Sequence, residues 1–507
     1  MAGNAMTTMG SLDLYIEPGM QAASTGPRSK PIVKRILLPG VLIASFLVLS
    51  LAFSSTAEGA RPNILFILAD DLGYADVGFN GGKEILTPQI DKLAAAGARL
   101  DSFYVQPVCS PTRASLMTGR YPMRYGLQMG VIRPWEDRGL PLEERMLPQV
   151  LKEAGYSTAI VGKWHLGCYQ RAYLPTSRGF DHQYGHYSGA IDYFTHERDG
   201  GFDWHRDDRV CRDEGYSTHL IAREAARLLR EQTPDKPFFL YVPFNAVHAP
   251  HEVPEKYCAP YASLPEPRRT YAGMVAAMDE AIGQILSALD ERGFRTNTLI
   301  FFSSDNGGPQ PGRVTSNGPL RAGKATLYEG GTRVCACVAW QGRIKAGSAI
   351  SEPMHMVDWY PTLLKLAGAS LDQKLPLDGR DILPVLTQGA PSPHEEILLN
   401  TTPRAGAIRV GDWKFVLNGS IGTSEADDES PAPARGKKAA RRDQPPKVEL
   451  FNLAQDLSEK HDLAAENPEK LKELRARYDA FAKQAAKPSK QPKAHDYTVP
   501  KVYGEQE

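Results

Sequence analysis

The sequence has no excess of charge of either sign. Lysine and arginine total 59 residues, aspartate and glutamate also total 59, and the formal net charge is +0 at pH 7. Without a long-range field of one sign, the composition does not favour a protein that binds nucleic acid or an anionic membrane surface. An anionic substrate would have to be captured by a local cluster of cations.

Cysteine is also scarce, with 6 residues in 507. Six are too few for a disulfide scaffold, and no paired Cys-x-x-Cys spacing of the kind that holds zinc is present. Cys335 and Cys337 alternate within an apolar run, which favours buried free thiols. A disulfide among Cys168, Cys211 and Cys258 stays open, because their spacing indicates no pairing.

Long hydrophobic runs are missing except near the N-terminus. Residues 36–53 are apolar and follow Lys30, Lys34 and Arg35, and small residues continue to Ala60. This pattern predicts an export signal with cleavage, and an uncleaved N-terminal anchor is the alternative. We therefore expect an exported protein, periplasmic or secreted, or lysosomal if the source is eukaryotic.

Apolar runs and helical patterns alternate along most of the chain. The runs do not alternate with polar residues, which favours strands buried on both faces of a mainly parallel sheet. The predicted strands are 63–69, 158–161, 237–244, 298–303 and 334–340. The predicted helices are 88–96, 147–154, 217–231, 271–292 and 356–367. This order predicts an α/β fold with a large mixed, mainly parallel sheet between layers of helices.

The alternation of buried strands and helices ends near residue 396. Residues 407–417 predict a hairpin with Gly411 and Asp412 at its turn, and 448–453 a further strand of the same small antiparallel sheet. Residues 467–483 predict one charged amphipathic helix. We divide the chain into a signal or anchor region (1–60), a large domain (61–395), a small C-terminal domain (396–487) with a disordered loop (423–447), and a flexible tail (488–507).

The stretch that begins at Cys109 reads CSPTRASLMTGR. Ser110 suits a helix N-cap, Pro111 the first helical position and Gly119 the C-terminal cap. Cys109 is thereby placed at the start of a helix, where free amides and the helix dipole favour an anion, and Arg113 adds a fork of donors. The alternative is a structural cysteine beside a well-capped helix, since most lone cysteines are inert.

Oxygen donors follow two of the predicted strands. Asp70 and Asp71 come after the first strand, and Asp305 and Asn306 after the strand at 298–303. In open α/β sheets ligands bind at the carboxyl ends of strands. Three carboxylates and an amide oxygen suit calcium or magnesium better than zinc. Ordinary strand-terminating aspartates are the alternative.

Cationic and acid/base side chains also follow strands. Lys163 and His165 lie in the motif GKWHLG, His248 follows the strand at 237–244, and Lys324 lies in the motif RAGKATLYEGG. Each alone is most simply a surface lysine or a hydrogen-bonded histidine. Their common placement after strands makes a shared site with the acidic pairs a reasonable hypothesis.

Together these motifs resemble the sulfatases of the alkaline-phosphatase superfamily. The similarity runs from about residue 62 to the C-terminal helix. Within that family, LPQVLKEAGY at 147–156 and DYFTHER at 192–198 are most similar to the arylsulfatase B group, the N-acetylgalactosamine-4-sulfatases. The markers of the family are Cys109-x-Pro111-x-Arg113, Leu116-x-Thr118-Gly119-Arg120, Gly162-Lys163-Trp164-His165-Leu166-Gly167 and Asp305-Asn306-Gly307-Gly308.

The resemblance implies that the large domain is catalytic and hydrolyses sulfate esters. Cys109 would be oxidised to formylglycine by a separate formylglycine-generating enzyme. The substrate would be an aryl sulfate or a sulfated saccharide, such as N-acetylgalactosamine 4-sulfate. Thr112 stands where most members of the family have serine, and because it keeps the hydroxyl we expect the modification to survive. One calcium ion would be held by Asp70, Asp71, Asp305, Asn306 and the modified Cys109.

The same resemblance implies roles for the remaining site residues. Arg113 and Lys163 would steady the hydrated formylglycine, and Lys163 and Lys324 would neutralise sulfate charge. His248 would give a proton to the leaving alcohol, and His165 would be the base that releases sulfate. Two alternatives stay open: a formylglycine-dependent phosphodiester or phosphonate monoester hydrolase, and an unmodified protein that only binds sulfated glycans.

Overall fold

The computed structural model describes residues 61–421 and 445–505. The predicted signal or anchor at 1–60 and most of the predicted loop at 423–447 lie outside these residues. Within the two described ranges, no helix is both long enough and apolar enough to cross a membrane.

A ten-stranded sheet forms the centre of the described chain, in the order β13-β2-β12-β11-β1-β10-β4-β5-β8-β9. A second sheet of four strands has the order β15-β16-β17-β18. The strands are β1 (Asn63–Ala69), β2 (Ala98–Leu100), β3 (Phe103–Tyr104), β4 (Ser157–Val161), β5 (His182–Gly185), β6 (Glu197–Arg198), β7 (Gly201–Phe202), β8 (His205–Arg206), β9 (Arg209–Val210), β10 (Phe238–Pro243), β11 (Thr298–Ser304), β12 (Ala336–Ala339), β13 (Ser348–Ile350), β14 (Met354–His355), β15 (Glu396–Thr401), β16 (Gly406–Val410), β17 (Trp413–Leu417) and β18 (Val448–Asn452).

The centre of the large sheet is parallel, as the apolar runs predict. Strand β1 pairs in parallel with β10 and with β11, and β4 pairs in parallel with β10 and β5. Along β1, Leu65 and Ile67 pack into the core on one face, while Phe66 and Leu68 pack into the core on the other. Burial on both faces explains why these strands are apolar without alternation. The predicted strand at 334–340 is β12, which runs antiparallel to β11 and makes the sheet mixed.

Helices cover the sheet close to their predicted bounds. The region predicted as one helix at 356–367 begins as a 3-10 turn, Met356–Asp358, because the His355 ring accepts a hydrogen bond from the Val357 amide at 3.2 Å. The helices are α1 (Pro88–Ala95), α2 (Cys109–Thr118), α3 (Leu147–Glu153), α4 (Ser217–Glu231), α5 (Glu255–Cys258), α6 (Arg268–Glu291), α7 (Glu329–Thr332), α8 (Trp359–Leu366), α9 (Leu383–Gln388) and α10 (Pro468–Ala482).

The small antiparallel sheet and helix α10 lie in the C-terminal part of the chain, as predicted. Strands β16 and β17 form the expected hairpin, and Gly411 at its turn has a φ of 56°, a left-handed conformation that glycine adopts at little cost. Leu474 and Tyr478 of α10 pack with Phe415 of the small sheet and with Tyr121, which follows α2. The small sheet therefore shares an apolar core with the larger part of the protein.

The segment after α10, which includes the predicted flexible tail at 488–507, makes backbone hydrogen bonds to the larger part. The Ala486 amide donates to Met123 at 2.8 Å, and the Ser489 amide to Gly126 at 3.0 Å. Near its end, the Tyr503 amide donates to the Phe202 carbonyl at 3.0 Å. The segment therefore runs from the turn after α2, at Met123 and Gly126, to strand β7.

All six cysteines are free thiols, so no disulfide joins Cys168, Cys211 or Cys258. Cys335 and Cys337 are buried at β12, as their alternation in an apolar run predicts.

Candidate active site

Two neighbouring parallel strands bring the acidic pairs together. Ala69 at the end of β1 is in register with Ser304 at the end of β11, so the residues that follow meet at one edge of the sheet. The Asp305 amide donates to the Ala69 carbonyl at 3.0 Å, and the Asp71 amide donates to Asp305 Oδ1 at 3.3 Å. Asp71 has a φ of 64°, a strained conformation that contacts of this kind must hold in place.

Helix α2 carries Cys109 to the same edge. The helix begins at Cys109, with Val108 in the N-cap position, so the prediction of Ser110 as the N-cap is wrong. The Ser110 hydroxyl instead donates to the His165 carbonyl at 2.8 Å and accepts from the Ile132 amide at 3.1 Å. Gly119 closes the helix with a φ of 67°, as predicted.

The Cys109 thiol lies among carboxylates. Its Sγ is 3.4 Å from Asp70 Oδ1, and the side chain is fully buried. Burial, and then the charges of Asp305 and Asp70, raise the pKa of the Cys109 thiol well above its usual value. The unmodified residue therefore stays a neutral thiol, which is a weak nucleophile.

Arg113 joins the two acidic strand ends. Its Nε and Nη2 donate to Asp305 Oδ2 at 3.1 and 2.8 Å, and Nη1 donates to the Lys163 carbonyl at 2.9 Å. Burial opposes the charge, but Asp305 and Asp70 raise the pKa of Arg113, so the guanidinium stays protonated. Both bonds to Asp305 end on the same oxygen, Oδ2, and leave Oδ1 to accept from the Asp71 amide.

Lys163 reaches the site from the end of β4 and pairs with Asp70 Oδ2 in a fully buried contact. The residue before it, Gly162, has a φ of 134°, and a Cβ there would lie 1.9 Å from the Pro243 carbonyl oxygen. Glycine is required because the backbone passes against β10 at this point.

Lys324 and His248 form the opposite wall of the site. Lys324 Nζ lies 2.8 Å from Asp71 Oδ2 and 3.2 Å from His248 Nε2. His248 Nδ1 lies 2.6 Å from the Ala249 carbonyl, which can only accept, so Nδ1 carries a proton and Nε2 faces Lys324. Burial would raise the pKa of Asp71, but Lys324 and His248 outweigh it, and the pKa is lowered. Asp71 is therefore a carboxylate.

His165 sits beside the start of helix α2 with a φ of 59°. Its Nε2 donates to the Ile132 carbonyl at 3.2 Å, so Nδ1 carries a lone pair. Nδ1 is buried and has no hydrogen-bond partner within 61–421 and 445–505. Burial, and then Lys163 and Arg113, lower the pKa of the imidazole well below its usual value. His165 is therefore a neutral ring with one unused acceptor.

The oxygen donors fit a hard divalent cation. Asn306 Nδ2 donates to Asp71 Oδ1 at 2.6 Å, which leaves Asn306 Oδ1 buried without a hydrogen-bond partner in the described chain. Such an unsatisfied acceptor is costly unless a ligand meets it. Burial and Asp305 raise the pKa of Asp70 to about 7, an unfavourable crowding of carboxylates that a cation would relieve.

The geometry places one further residue, His248, beside the predicted metal ligands. One potential ligand atom from each of Asp70, Asp71, Cys109 and His248 lies within 4.8 Å of the other three. His248 belongs to this group as well as to the cationic wall, whereas the sequence indicated only an acid/base role. Asp305 adjoins the group through Arg113 and the Asp71 amide.

Asn317 is a supporting residue that the sequence reasoning missed. Its Oδ1 accepts from the amides of Tyr74 and Gly308 at 3.2 and 3.1 Å, and its Nδ2 donates to the carbonyls of Gly308 and Ala322 at 2.8 and 3.0 Å. It thereby ties the backbone after Asn306 to the loop that carries Lys324. The turn sequence Asn-Gly-Pro at 317–319 was the available signal.

Aromatic and histidine side chains in the loop at 185–209, candidates for sugar contacts by their type, are mostly internal. His196, Trp204 and His205 are buried, as is Tyr193. The Tyr193 hydroxyl lies 2.7 Å from the Asn245 carbonyl and 2.8 Å from the His248 carbonyl. Tyr193 therefore supports the backbone that carries His248.

Thr112 uses its hydroxyl within the fold. Oγ1 accepts from the Gln106 amide at 3.0 Å and donates to the Gln106 carbonyl at 3.1 Å. These bonds close the turn before helix α2, so the hydroxyl has a structural task at this position besides any part in modification.

Comparisons with known proteins agree with this geometry. The family model described as Sulfatase matches residues 62–369. The chain is 39% identical to arylsulfatase J of Mus musculus over 488 residues, covering 89% of this chain and 80% of that protein. It is 36% identical to N-acetylgalactosamine-6-sulfatase of the same species over 369 residues, covering 68% and 70%.

The similarity extends to solved structures. The crystal structure of Ps i-CgsB in complex with k-i-k-neocarrahexaose is 33% identical and has a TM-score of 0.74, covering 85% of this chain and 94% of that chain. The prediction of a large mixed sheet of alkaline-phosphatase-like architecture with a small C-terminal sheet is confirmed. The particular likeness to the arylsulfatase B group stays a prediction.

Proposed function

Because this chain belongs to the sulfatase family and is a sulfuric ester hydrolase, we propose that it removes sulfate from a sulfated sugar. The nucleophile would be formylglycine made from Cys109, and the metal would be one calcium ion. The observation that carries the proposal is the position of Cys109 Sγ, 3.4 Å from Asp70 Oδ1 at the start of a helix and beside a buried arginine and lysine.

Formylglycine and calcium would each supply one kind of chemistry. Formylglycine at position 109 would supply, as a hydrated aldehyde, a hydroxyl nucleophile. Calcium would supply Lewis acidity toward the sulfate group and the nucleophile. The residues that would hold calcium are Asp70, Asp71, Asp305, Asn306 and the modified Cys109, with His248 beside them.

Lysine side chains of this chain would neutralise the negative charge of the sulfate group. Lys163 pairs with Asp70, and Nζ of Lys324 lies 2.8 Å from Asp71 Oδ2. Cations already fixed in a water-poor site stabilise developing charge without reorganising. Arg113 bonds to Asp305 and to the Lys163 carbonyl and so restricts the motion of both segments.

The two histidines would transfer protons at defined atoms. His248 would give a proton to the leaving alcohol from Nε2, because Nδ1 is committed to the Ala249 carbonyl. Nε2 would first take up that proton, since in this geometry it faces the Lys324 ammonium, which can only donate, at 3.2 Å. His165 Nδ1 would accept a proton during sulfate release, because Nε2 is committed to the Ile132 carbonyl. A neutral imidazole with a free lone pair suits a general base.

We propose a sugar as the substrate because the names of similar proteins refer to sugars. One relative is named for N-acetylgalactosamine 6-sulfate, and the solved structure holds a neocarrahexaose. We keep N-acetylgalactosamine 4-sulfate as the first compound to test. Formylglycine-dependent hydrolysis of a phosphodiester or phosphonate monoester is the alternative. Asn306 beside Asp305 favours a site for one hard cation, which argues against a different class, the two-zinc phosphatases.

The maturation pathway is part of the proposal. We propose export through the apolar segment at 36–53, a catalytic domain at 61–395 and a small domain at 396–487. The formylglycine-generating enzyme would have to act before folding is complete, because Cys109 is fully buried.

Mass spectrometry of the peptide that contains Cys109 tests the nucleophile, and sulfate release from defined sulfated sugars tests the substrate. We expect an aldehyde or its hydrate at position 109, loss of activity with a calcium chelator, and faster release from a sulfated sugar than from a phosphodiester. An unmodified thiol in fully active protein would refute the mechanism, and comparable turnover of phosphodiesters would favour the alternative.

A further inference from the structure

Four lysines lie close together in the chain where it leaves helix α10. They are exposed, and none of them forms an ion pair with a carboxylate among the described residues. The sequence has no acidic residue between Asp479 and Asp496. We call this group the basic strap; its members are Lys483, Lys487, Lys490 and Lys493.

Gln491 fastens the basic strap to the loop at 131–138. Its amide donates to Glu136 Oε1 at 2.9 Å, and its Oε1 accepts from the Asp137 amide at 3.1 Å. Its Nε2 donates to Asp137 Oδ1 at 2.5 Å, and its carbonyl accepts from Trp135 Nε1 at 3.4 Å. These bonds give the strap a defined position, and they occupy the nearby acids, with Glu136 also paired to Arg138 at 2.8 Å.

The loop at 131–138 also contacts the candidate active site. The Ile132 carbonyl accepts from His165 Nε2, and the Ile132 amide donates to Ser110 beside Cys109. Trp135 follows Ile132 by three residues, so no more than about 10 Å of chain separates them. Gln491, between Lys490 and Lys493, is therefore joined to the candidate active site through one short loop.

Cations and aromatic rings occur together where the strap meets this loop. Lys493 Nζ lies 5.4 Å from the Trp135 ring centre and 5.2 Å from that of Tyr497. Trp135 and Tyr497 are partly exposed and meet edge to face at 6.4 Å. Arg133 Cζ also lies 5.8 Å from the Trp135 ring centre, so cations cluster beside this partly exposed ring, and such ammonium and guanidinium groups suit the sulfate esters of a sugar.

From these observations we propose that the basic strap, with Trp135, binds further sulfated residues of a polymeric substrate while one residue occupies the active site. The inference rests on the proposed function, since it names a sulfated polysaccharide as the substrate class. The chain as a whole has a formal net charge of +0, so only such a local patch can hold a polyanion.

The occupant we commit to is a polysaccharide and not an anionic membrane. Trp135 lies in the loop at 131–138 and Tyr497 in the segment after the strap, and the exposed lysines are spread along residues 483–493, which form neither helix nor strand. That arrangement matches a linear chain with charges at intervals. Because the lysines are exposed, salt screens their attraction to sulfate groups; the Debye length is about 10 Å at 0.1 M, so binding should weaken as the salt concentration rises.

The test compares the full-length protein with two variants that each carry four substitutions. In the strap variant Lys483, Lys487, Lys490 and Lys493 are each replaced by glutamine. The control replaces four exposed lysines that lie outside the strap: Lys92, Lys236, Lys345 and Lys374. Each protein is assayed on a sulfated polysaccharide, on nitrophenyl sulfate, and for binding to dextran sulfate, plain dextran and phosphatidylglycerol vesicles.

We expect the strap variant to lose about tenfold in kcat/KM on the polysaccharide at low salt, with nitrophenyl sulfate changed less than twofold. Its affinity for dextran sulfate should fall by a similar factor, and the control should match the wild type. Equal losses on both esters, unchanged dextran sulfate binding, or binding to vesicles alone would each overturn the proposal. If no ester is hydrolysed, the proposed function fails, while dextran sulfate binding still decides about the strap.

Discussion

Glu459 offers a test of how burial controls charge next to the site. It lies between the small sheet and helix α7, which follows the loop that carries Lys324. Glu459 Oε2 accepts from the Glu329 amide at 2.7 Å, and Oε1 lies 2.8 Å from Lys414 Nζ. Lys414 also pairs with Glu329 Oε1 at 2.8 Å. We propose to replace Glu459 with glutamine, which keeps an acceptor for the Glu329 amide but cannot ionise.

The expected magnitude follows from the pKa of Glu459. Burial, which outweighs the effect of Lys414, raises that pKa from 4.5 to about 7. At about 1.4 kcal/mol per pKa unit, the difference corresponds to about 3 kcal/mol in the free energy of unfolding. Because the folded-state pKa is the higher one, this stability is fully present below pH 4.5 and is lost as the pH rises through about 7. Over this range the wild type should therefore lose stability relative to Glu459→Gln.

Thermal or urea unfolding from pH 4.5 to 8 measures the effect. We expect Glu459→Gln to remove this part of the slope and to equal or exceed the stability of the wild type above pH 7. The control is Glu449→Gln. Burial would raise the pKa of Glu449, but hydrogen bonds from Lys447 and Tyr328 lower it, so its loss should destabilise most at neutral pH. Identical slopes in the wild type and Glu459→Gln would refute the reasoning.

Three further predictions concern the candidate active site. His165→Gln should lower kcat by about 10² to 10⁴ with little change in Tm, and an unchanged kcat would exclude it as the base. His248→Ala should slow esters with poor leaving groups more than nitrophenyl sulfate, and equal losses on both would exclude it as the proton donor. Asn306→Leu removes the unsatisfied Oδ1 and should weaken calcium binding at least about tenfold, measured as the calcium-induced rise in Tm. An unchanged rise would place the ion elsewhere.

The strand–helix order could be predicted because it depends on local patterns. The run at 63–69 is apolar throughout because β1 is covered on both faces, and its observed bounds are those predicted. The acidic pairs could be placed at one edge because parallel strands end together. The N-cap of helix α2 was harder, since Ser110 has two possible uses, and only its distance to the His165 and Ile132 backbone decided between them.

The segment 185–209 shows the limit of reasoning from local sequence. Trp204 and His205 each have an aromatic ring with a polar N–H, so residue type alone is compatible with either packing or sugar binding. Their burial depends on how the segment folds on itself, as in the stacking of His205 on Tyr187 at 4.2 Å. The path of the chain after α10 is similar, because the partners of Gln491 lie more than 350 positions earlier.

What the sequence alone determined was the family, the type of fold and the residues that gather at the strand ends, because motif spacing and strand ends are properties of short stretches. The tertiary structure decided the protonation of those residues. The Ile132 carbonyl selects the tautomer of His165, Lys324 and His248 together keep Asp71 ionised, and burial keeps the Cys109 thiol neutral. Each of these effects depends on distance and solvent exclusion between segments far apart in the chain, which no local pattern encodes.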